Sequence, residues 1–234
     1  MVRRMDGGTG EFQAGDFQAG SFSGAGLACR RGGRMVFSGL AFTVAPGGAL
    51  VLRGANGSGK TTLLRLMAGL TAAVAGQLAW DNRAIDDPDA HAGRLRFIGH
   101  LDAIKPALTV AENLRFWMSL WRGESRDTVI TDALDAFDLR RLAGFPARLL
   151  SAGQRHRLAL ARLVVAPAPL WLLDEPGNAL DESSLAALAR AIAAHRARGG
   201  AVVVASHGAA FVDGGSTLNL GDFAPTDDAH WSEQ

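Results

Sequence analysis

Gly54-Ala55-Asn56-Gly57-Ser58-Gly59-Lys60-Thr61 is the stretch that decides the fold. It fits the pattern GxxxxGK followed by Ser or Thr, with the apolar run 49–52 before it and the helix-forming run Thr62, Leu63, Leu64, Leu66, Met67 after it. A phosphate-cradling loop requires that strand, loop and helix context, which a chance glycine-rich turn with a lysine would lack. The glycines let the backbone curl until its N–H groups point inward at phosphate oxygens. The helix N-terminus at Thr61 and Thr62 adds partial positive charge at the same point. Lys60 is expected to reach the β- and γ-phosphates as a point charge. Thr61 offers a hydroxyl to Mg²⁺, a hard ion that takes oxygen ligands.

Further along, Leu170-Trp171-Leu172-Leu173-Asp174-Glu175 reads as a buried strand that ends in two acids. Asp174 is expected to hold Mg²⁺, through water, and Glu175 to accept a proton from an attacking water. Pro176 stops the strand there. By itself such a run is an ordinary strand ending in solvated acids; beside the phosphate loop it reads as a catalytic pair. A third apolar run, 201–205, completes a set of short buried strands of the parallel-sheet kind. The expected class is α/β, a P-loop nucleoside triphosphatase with a mixed sheet core.

A helical pattern interrupts that core at about 100–157. Thr109-x-x-Glu112 is a capping box, and Val110, Leu114, Trp117 and Trp121 form one apolar stripe behind it. A second helix is expected at about 127–137, with Ile130, Leu134 and Phe137 on its apolar face. Residues 1–24 repeat Phe-Gln-Ala-Gly among Ser and Asp, with too little contiguous apolar surface to offset chain entropy, and read as a disordered tail. The catalytic domain is then expected over 25–225.

The 234 residues are 48% hydrophobic, enough for one domain with an insertion, and carry a formal net charge of +1. So balanced a charge supplies no general pull toward nucleic acid, which is not an expected partner. The single cysteine, Cys29, excludes a disulfide framework or a Cys-rich metal site and suits a reducing compartment. No secretory signal pattern and no apolar run of the roughly 18 residues that span a bilayer is present, so the chain is expected to be neither secreted nor integral.

Leu150-Ser151-Ala152-Gly153-Gln154, with the helix that follows it and the order of the motifs around it, resembles the signature of the ABC ATPases. Asn178-Ala179-Leu180-Asp181 resembles that family's D-loop, and Ser206-His207 its switch histidine. The resemblance covers about residues 27–221. It implies a homodimer with two ATP molecules sandwiched between subunits, the phosphate loop of one copy closed by Ser151, Gly153 and Gln154 of the other. It also implies that Asp181 lies at that shared site and that His207 contacts the γ-phosphate. The γ-phosphate then holds the subunits together until hydrolysis removes it.

Within the family, Phe97-Ile98-Gly99-His100 and Ala103-Ile104-Lys105-Pro106-Ala107-Leu108-Thr109 resemble the ATP-binding subunits of haem exporters in cytochrome c maturation. So do Leu78-Ala79-Trp80 and the Ser-Ala-Gly-Gln form of the signature. That likeness implies integral membrane subunits as partners, a peripheral place on the cytoplasmic face of the inner membrane, and coupling to haem delivery or to release of a haem-loaded chaperone. No direct haem binding is expected: there is no Cys-x-x-Cys-His, and the histidines show no ligand spacing.

Two positions depart from the family. His100 stands where a glutamine is usual; imidazole is a poor Mg²⁺ ligand, so a water-mediated or hinge role is expected. The chain has no tyrosine, and Cys29-Arg30-Arg31-Gly32-Gly33 occupies the place of the usual adenine-stacking aromatic, where an arginine plane can serve. Phe116, off the apolar stripe, is the docking candidate for a membrane partner. Three other readings stay open: an exporter of another substrate, a soluble ATPase acting on nucleic acid or ribosomes, and a module that binds ATP without hydrolysing it.

Overall fold

The computed structural model describes residues 20–122, 126–208 and 211–225. In chain order, β1 (Phe22–Arg31) and β2 (Arg34–Val44) form a hairpin, and β3 (Ala49–Arg53) leads through the glycine loop into α1 (Lys60–Met67). Then come β4 (Ala75–Trp80), β5 (Arg83–Ala84), α2 (Pro88–Gly93) and β6 (Leu95–Ile98). The insertion holds α3 (Val110–Arg122), α4 (Asp127–Ala136) and α5 (Ala152–Val165). The chain returns through β7 (Leu170–Asp174), α6 (Glu182–Ala197), β8 (Ala201–Ala205) and β9 (Ser216–Asn219).

The mixed core resolves into two sheets: an antiparallel one in the order β2-β1-β4-β5, and one in the order β6-β7-β8-β3-β9 whose strands are all parallel. The three apolar runs expected as strands are β3, β7 and β8, side by side at its centre. Their residues alternate between two cores. Val51, Trp171, Leu173, Val202 and Val204 pack toward the helical side, and Leu50, Leu52, Leu170, Leu172 and Val203 toward α1 and the antiparallel sheet. Burial on both faces explains why these strands read as unbroken apolar runs. Because the strands are parallel, the loops after β3, β6, β7 and β8 all leave from one edge.

The expected tail is too long by a few residues. Phe22 is fully buried in β1, packed against Phe42 and Trp80 with ring centroids 5.4 and 5.0 Å apart. An aromatic packed against rings on both neighbouring strands recovers the apolar burial that its Gly- and Ser-rich neighbours lack. Residues 1–19 lie outside the described part of the chain. The expected subdomain limit at about 157 falls inside α5, which continues without a break to Val165. Its second half, from Leu158, is buried against the sheet.

Inside the insertion, the Thr109–Glu112 capping box forms, with the Thr109 N–H donating to Glu112 Oε2 at 2.7 Å and the Glu112 N–H to Thr109 Oγ1 at 3.2 Å. The fully buried stripe of α3 is Val110, Leu114 and Met118. Trp117 and Trp121 flank it, 5.0 Å apart, with the guanidinium of Arg162 over the first ring and that of Arg96 over the second. Phe116 is half-buried under the ammonium of Lys105. Among the described residues no helix is long and apolar enough to cross a membrane.

His195, on α6, is fully buried and stacked on Trp171 at 3.9 Å, with Nε2 3.1 Å from the Ala201 carbonyl. Burial pushes its pKa down to about 4, the hydrogen bond to Ala201 opposing the shift. The unfolded chain takes up this proton near pH 6.5, the native chain only near 4. Stability from this site is therefore complete above about pH 6.5 and is lost as the pH falls toward 4, to the extent of about 3 kcal/mol. In His195→Phe, which keeps a ring on Trp171, the fall in Tm between pH 7 and pH 4.5 is expected to be shallower. An equally steep acid slope would assign it to other groups.

Candidate functional site

The loop after β3 and the first turn of α1 form a phosphate cradle by local geometry. Gly59 sits at φ 102°, and a Cβ built on it would lie 2.5 Å from Val36 Cγ1, so the residue beneath β2 has to be glycine. No side chain caps α1. The Ser58 hydroxyl is buried without a hydrogen-bond partner, a polar group left for a ligand. Lys60 is buried, and its Nζ donates to the carbonyls of Gly54 and Ala55 at 2.8 and 3.2 Å. Thr62 is likewise buried, in the first turn of α1.

The parallel sheet brings the second cluster to this loop. Thr61 Oγ1 donates to the buried Asp174 carboxylate at 2.9 and 3.2 Å, across 113 residues of chain. His207, just past β8, places Nε2 2.8 Å from Asn56 Oδ1, 3.3 Å from Lys60 Nζ and 3.6 Å from Glu175 Oε1. A nitrogen that donates to Asn56 cannot also accept from Lys60, so the lysine contact is one of proximity. Glu175 adopts φ 49°, its N–H held by Ala205 O at 2.9 Å and its carbonyl by Asn178 N at 3.1 Å. A non-glycine residue in that region costs on the order of 1 kcal/mol and persists where its surroundings over-determine it, as at many active sites. Asn56, His100, Glu175 and His207 line a cleft of 830 Å³ that runs on to Leu185 and Phe211.

Ser151, Gly153, Gln154 and Asp181 stand apart from this constellation, and none lines the cleft. Ser151 caps α5 and closes a box with Gln154: the Gln154 N–H donates to Ser151 Oγ at 3.2 Å, and the Ser151 N–H to Gln154 Oε1 at 2.9 Å. Gly153 faces the turn after β7, where a Cβ would lie 3.2 Å from the Ala179 carbonyl. Asp181 caps α6, accepting from the Ser184 N–H at 2.8 Å and the Ser183 hydroxyl at 3.0 Å. Hydrogen bonds from Ser184, then Ser183, hold its carboxyl down to about 2. These four residues have helix-end tasks within their own chain. Arg30 and Arg31 lie exposed at the end of the β1–β2 hairpin, while Cys29 is buried.

Sequence reasoning missed two groups here. Asn113 is buried and ties down the segment before α3, accepting from the Lys105 N–H at 2.8 Å and donating to the carbonyls of Lys105 and Thr109 at 3.1 and 3.0 Å. His156 reaches Asp102 and the Pro176 carbonyl. Neither has a local signature, since each acts on backbone or on distant residues.

Residues 37–178 match the ABC transporter family. The chain is 52% identical over 205 residues to the cytochrome c biogenesis ATP-binding export protein CcmA of Paramagnetospirillum magneticum, covering 86% of this chain and 94% of that protein. It is 53% identical over 204 residues to the protein of the same name from Rhodospirillum rubrum, covering 87% of each. Among solved structures, a putative ABC transporter ATP-binding protein from Pyrococcus furiosus superposes with a TM-score of 0.77 at 22% identity, covering 88% of this chain and all of that one. At that identity the structural likeness speaks for the fold alone.

Proposed function

The chain belongs to the ABC transporter family, among its cytochrome c biogenesis ATP-binding export proteins, and on that premise we propose that two copies close around ATP and Mg²⁺ to drive haem handling by an integral membrane partner. It is the ATP-hydrolysing subunit of such an exporter. The observation that carries the hydrolytic reading is the convergence of Lys60, Glu175 and His207, with 3.3 Å between Lys60 Nζ and His207 Nε2 and 3.6 Å from there to Glu175 Oε1.

The residues fit Mg²⁺. A hydroxyl and a buried carboxylate meet at 2.9 Å at the foot of the phosphate loop. Among the described residues no group of three or more His, Cys, Asp or Glu competes as a metal site, so the remaining ligands fall to phosphate and water. When bound, the ion neutralises charge on the transferring phosphoryl group. Lys60 exchanges its loop carbonyls for phosphate oxygens, and Asn56 and His207 border the γ-phosphate. Glu175 orients a water in line with the γ-phosphorus and takes its proton as the bond to the β,γ-bridging oxygen breaks, leaving ADP and phosphate. The exposed N-terminus of α5, with Ser151 and Gly153, closes the site of the second copy, where the positive end of the helix meets the γ-phosphate.

The export step belongs to cytochrome c biogenesis, and its cargo is haem or the haem-loaded chaperone. This subunit sits on the cytoplasmic face of the inner membrane through its partners. Extraction of the tagged protein in mild detergent is expected to bring an integral membrane subunit with it. Deletion of the gene is expected to remove covalently bound haem from c-type cytochromes. Extraction of the protein alone would end the transport reading; unchanged covalent haem would end the haem reading and leave another cargo.

A further inference from the structure

We propose that His156 is a positioning residue for ATP hydrolysis, joining the signature helix and the His100 segment to the turn that aims Glu175. The proposal rests on the reading of Glu175 as the group that activates water.

His156 lies on the second turn of α5 with its ring largely covered. Nδ1 is 2.8 Å from Asp102 Oδ1, and Nε2 is 3.0 Å from the Pro176 carbonyl. Both neighbours are acceptors, and the ring meets both as a donor only when each nitrogen carries a proton. Asp102 stands two residues beyond His100, on the segment that leaves β6. The same segment is gripped a second time from α5, where Arg162 donates to the Asp102 carbonyl at 2.5 Å. Pro176 follows Glu175 directly.

The turn that His156 holds is the strained one. Glu175 keeps φ 49° with β8 holding its N–H through Ala205. Proline offers no N–H at the next position, so its carbonyl is the handle left to the backbone there. A strained residue keeps its conformation only when fixed from several sides. β8 supplies one side, the Asn178 N–H a second, and His156 a third. Gly153 adds a contact from the same helix, packed where a Cβ would meet the Ala179 carbonyl at 3.2 Å. One helix thus carries the exposed signature at its start and, five residues beyond Ser151, the bond that steadies the hydrolytic carboxylate. A shift of α5 on nucleotide-driven closure would then reach Glu175 through the His156 imidazole as well as through the Gly153 contact.

The test uses the complex extracted with its membrane partners, measuring kcat and KM for ATP, affinity for a non-hydrolysable ATP analogue, and Tm. His156→Ala is expected to lower kcat about tenfold or more, since a displacement near 1 Å of an aimed group is enough. KM and analogue affinity should move less than about threefold, because the phosphate loop is untouched. His156→Arg, which offers donors to both acceptors, is expected to recover most of the loss. If His156→Ala does not fold, Asp102→Ala cuts the same link from the segment side, and kcat alone should again fall. A kcat within about twofold of the parent, a proportional loss of kcat and analogue affinity, or an arginine variant no better than alanine would each overturn the proposal. Glu175→Gln runs in parallel. If it retains phosphate release, the hydrolytic reading itself fails; if it abolishes release while His156→Ala is silent, only the positioning role fails.

Discussion

Glu175→Gln is expected to reduce phosphate release by about a hundredfold or more while ATP affinity stays within a few-fold of the parent, the range set by loss of a general base. Glutamine keeps the shape of the side chain and can stand beside His207, where the carboxylate now lies 3.6 Å from Nε2. It cannot take a proton from water. The backbone at φ 49° is set by Ala205, Asn178 and the following proline turn, none of which touches the carboxylate, so the fold and the phosphate loop should be unchanged. On the shared-site proposal, the γ-phosphate is expected to go on holding two copies together once hydrolysis is blocked. Size-exclusion chromatography with ATP and Mg²⁺ is expected to show a persistent dimer for the variant and a transient one for the parent. A variant that stays monomeric under saturating ATP would remove the shared-site reading and leave hydrolysis to a single chain.

Lys60→Ala carries the second large effect, and it falls on binding. The ammonium is nearly buried, donates to the carbonyls of Gly54 and Ala55, and adjoins His207 at 3.3 Å. It is the one formal cation within the loop Gly54–Thr61. Charge-assisted hydrogen bonds contribute roughly 1.5–3 kcal/mol each, so losing two from the β- and γ-phosphates is expected to weaken ATP binding by about a hundredfold or more. The change should appear in titrations with a fluorescent ATP analogue, with Tm moving only a few degrees, because the lysine bonds loop carbonyls rather than the core. An unaltered affinity would show that the backbone cradle alone holds the triphosphate.

Much of the constellation was legible because its parts are local. The phosphate loop, the acid pair after Leu173, the box of Thr109 with Glu112 and the cap at Ser151 each depend on residues within about seven positions of one another, the short range over which turns and caps act. The central strands were legible because burial on both faces leaves no polar alternation to confuse them with loops. The apolar stripe of α3 was read less well. Met118 takes the buried place, and Trp117 and Trp121 are drawn aside to lie beneath Arg162 and Arg96, cations that arrive from α5 and β6. Phe22 misled for a similar reason, since its burial depends on Phe42 and Trp80 and not on its own neighbours.

By itself the sequence displayed the local pieces: a glycine loop of the phosphate-cradling pattern, two carboxylates after a buried strand, and the caps where helices begin. It did so because backbone conformation and capping are decided over a few residues. Only the tertiary structure decided which of those groups meet. The sheet runs in the order β6-β7-β8-β3-β9, an order that differs from chain order, and parallel pairing then delivers Lys60, His100, Glu175 and His207 to one edge. The same long-range packing set His156 against Asp102, 54 residues away, a contact that no local pattern encodes.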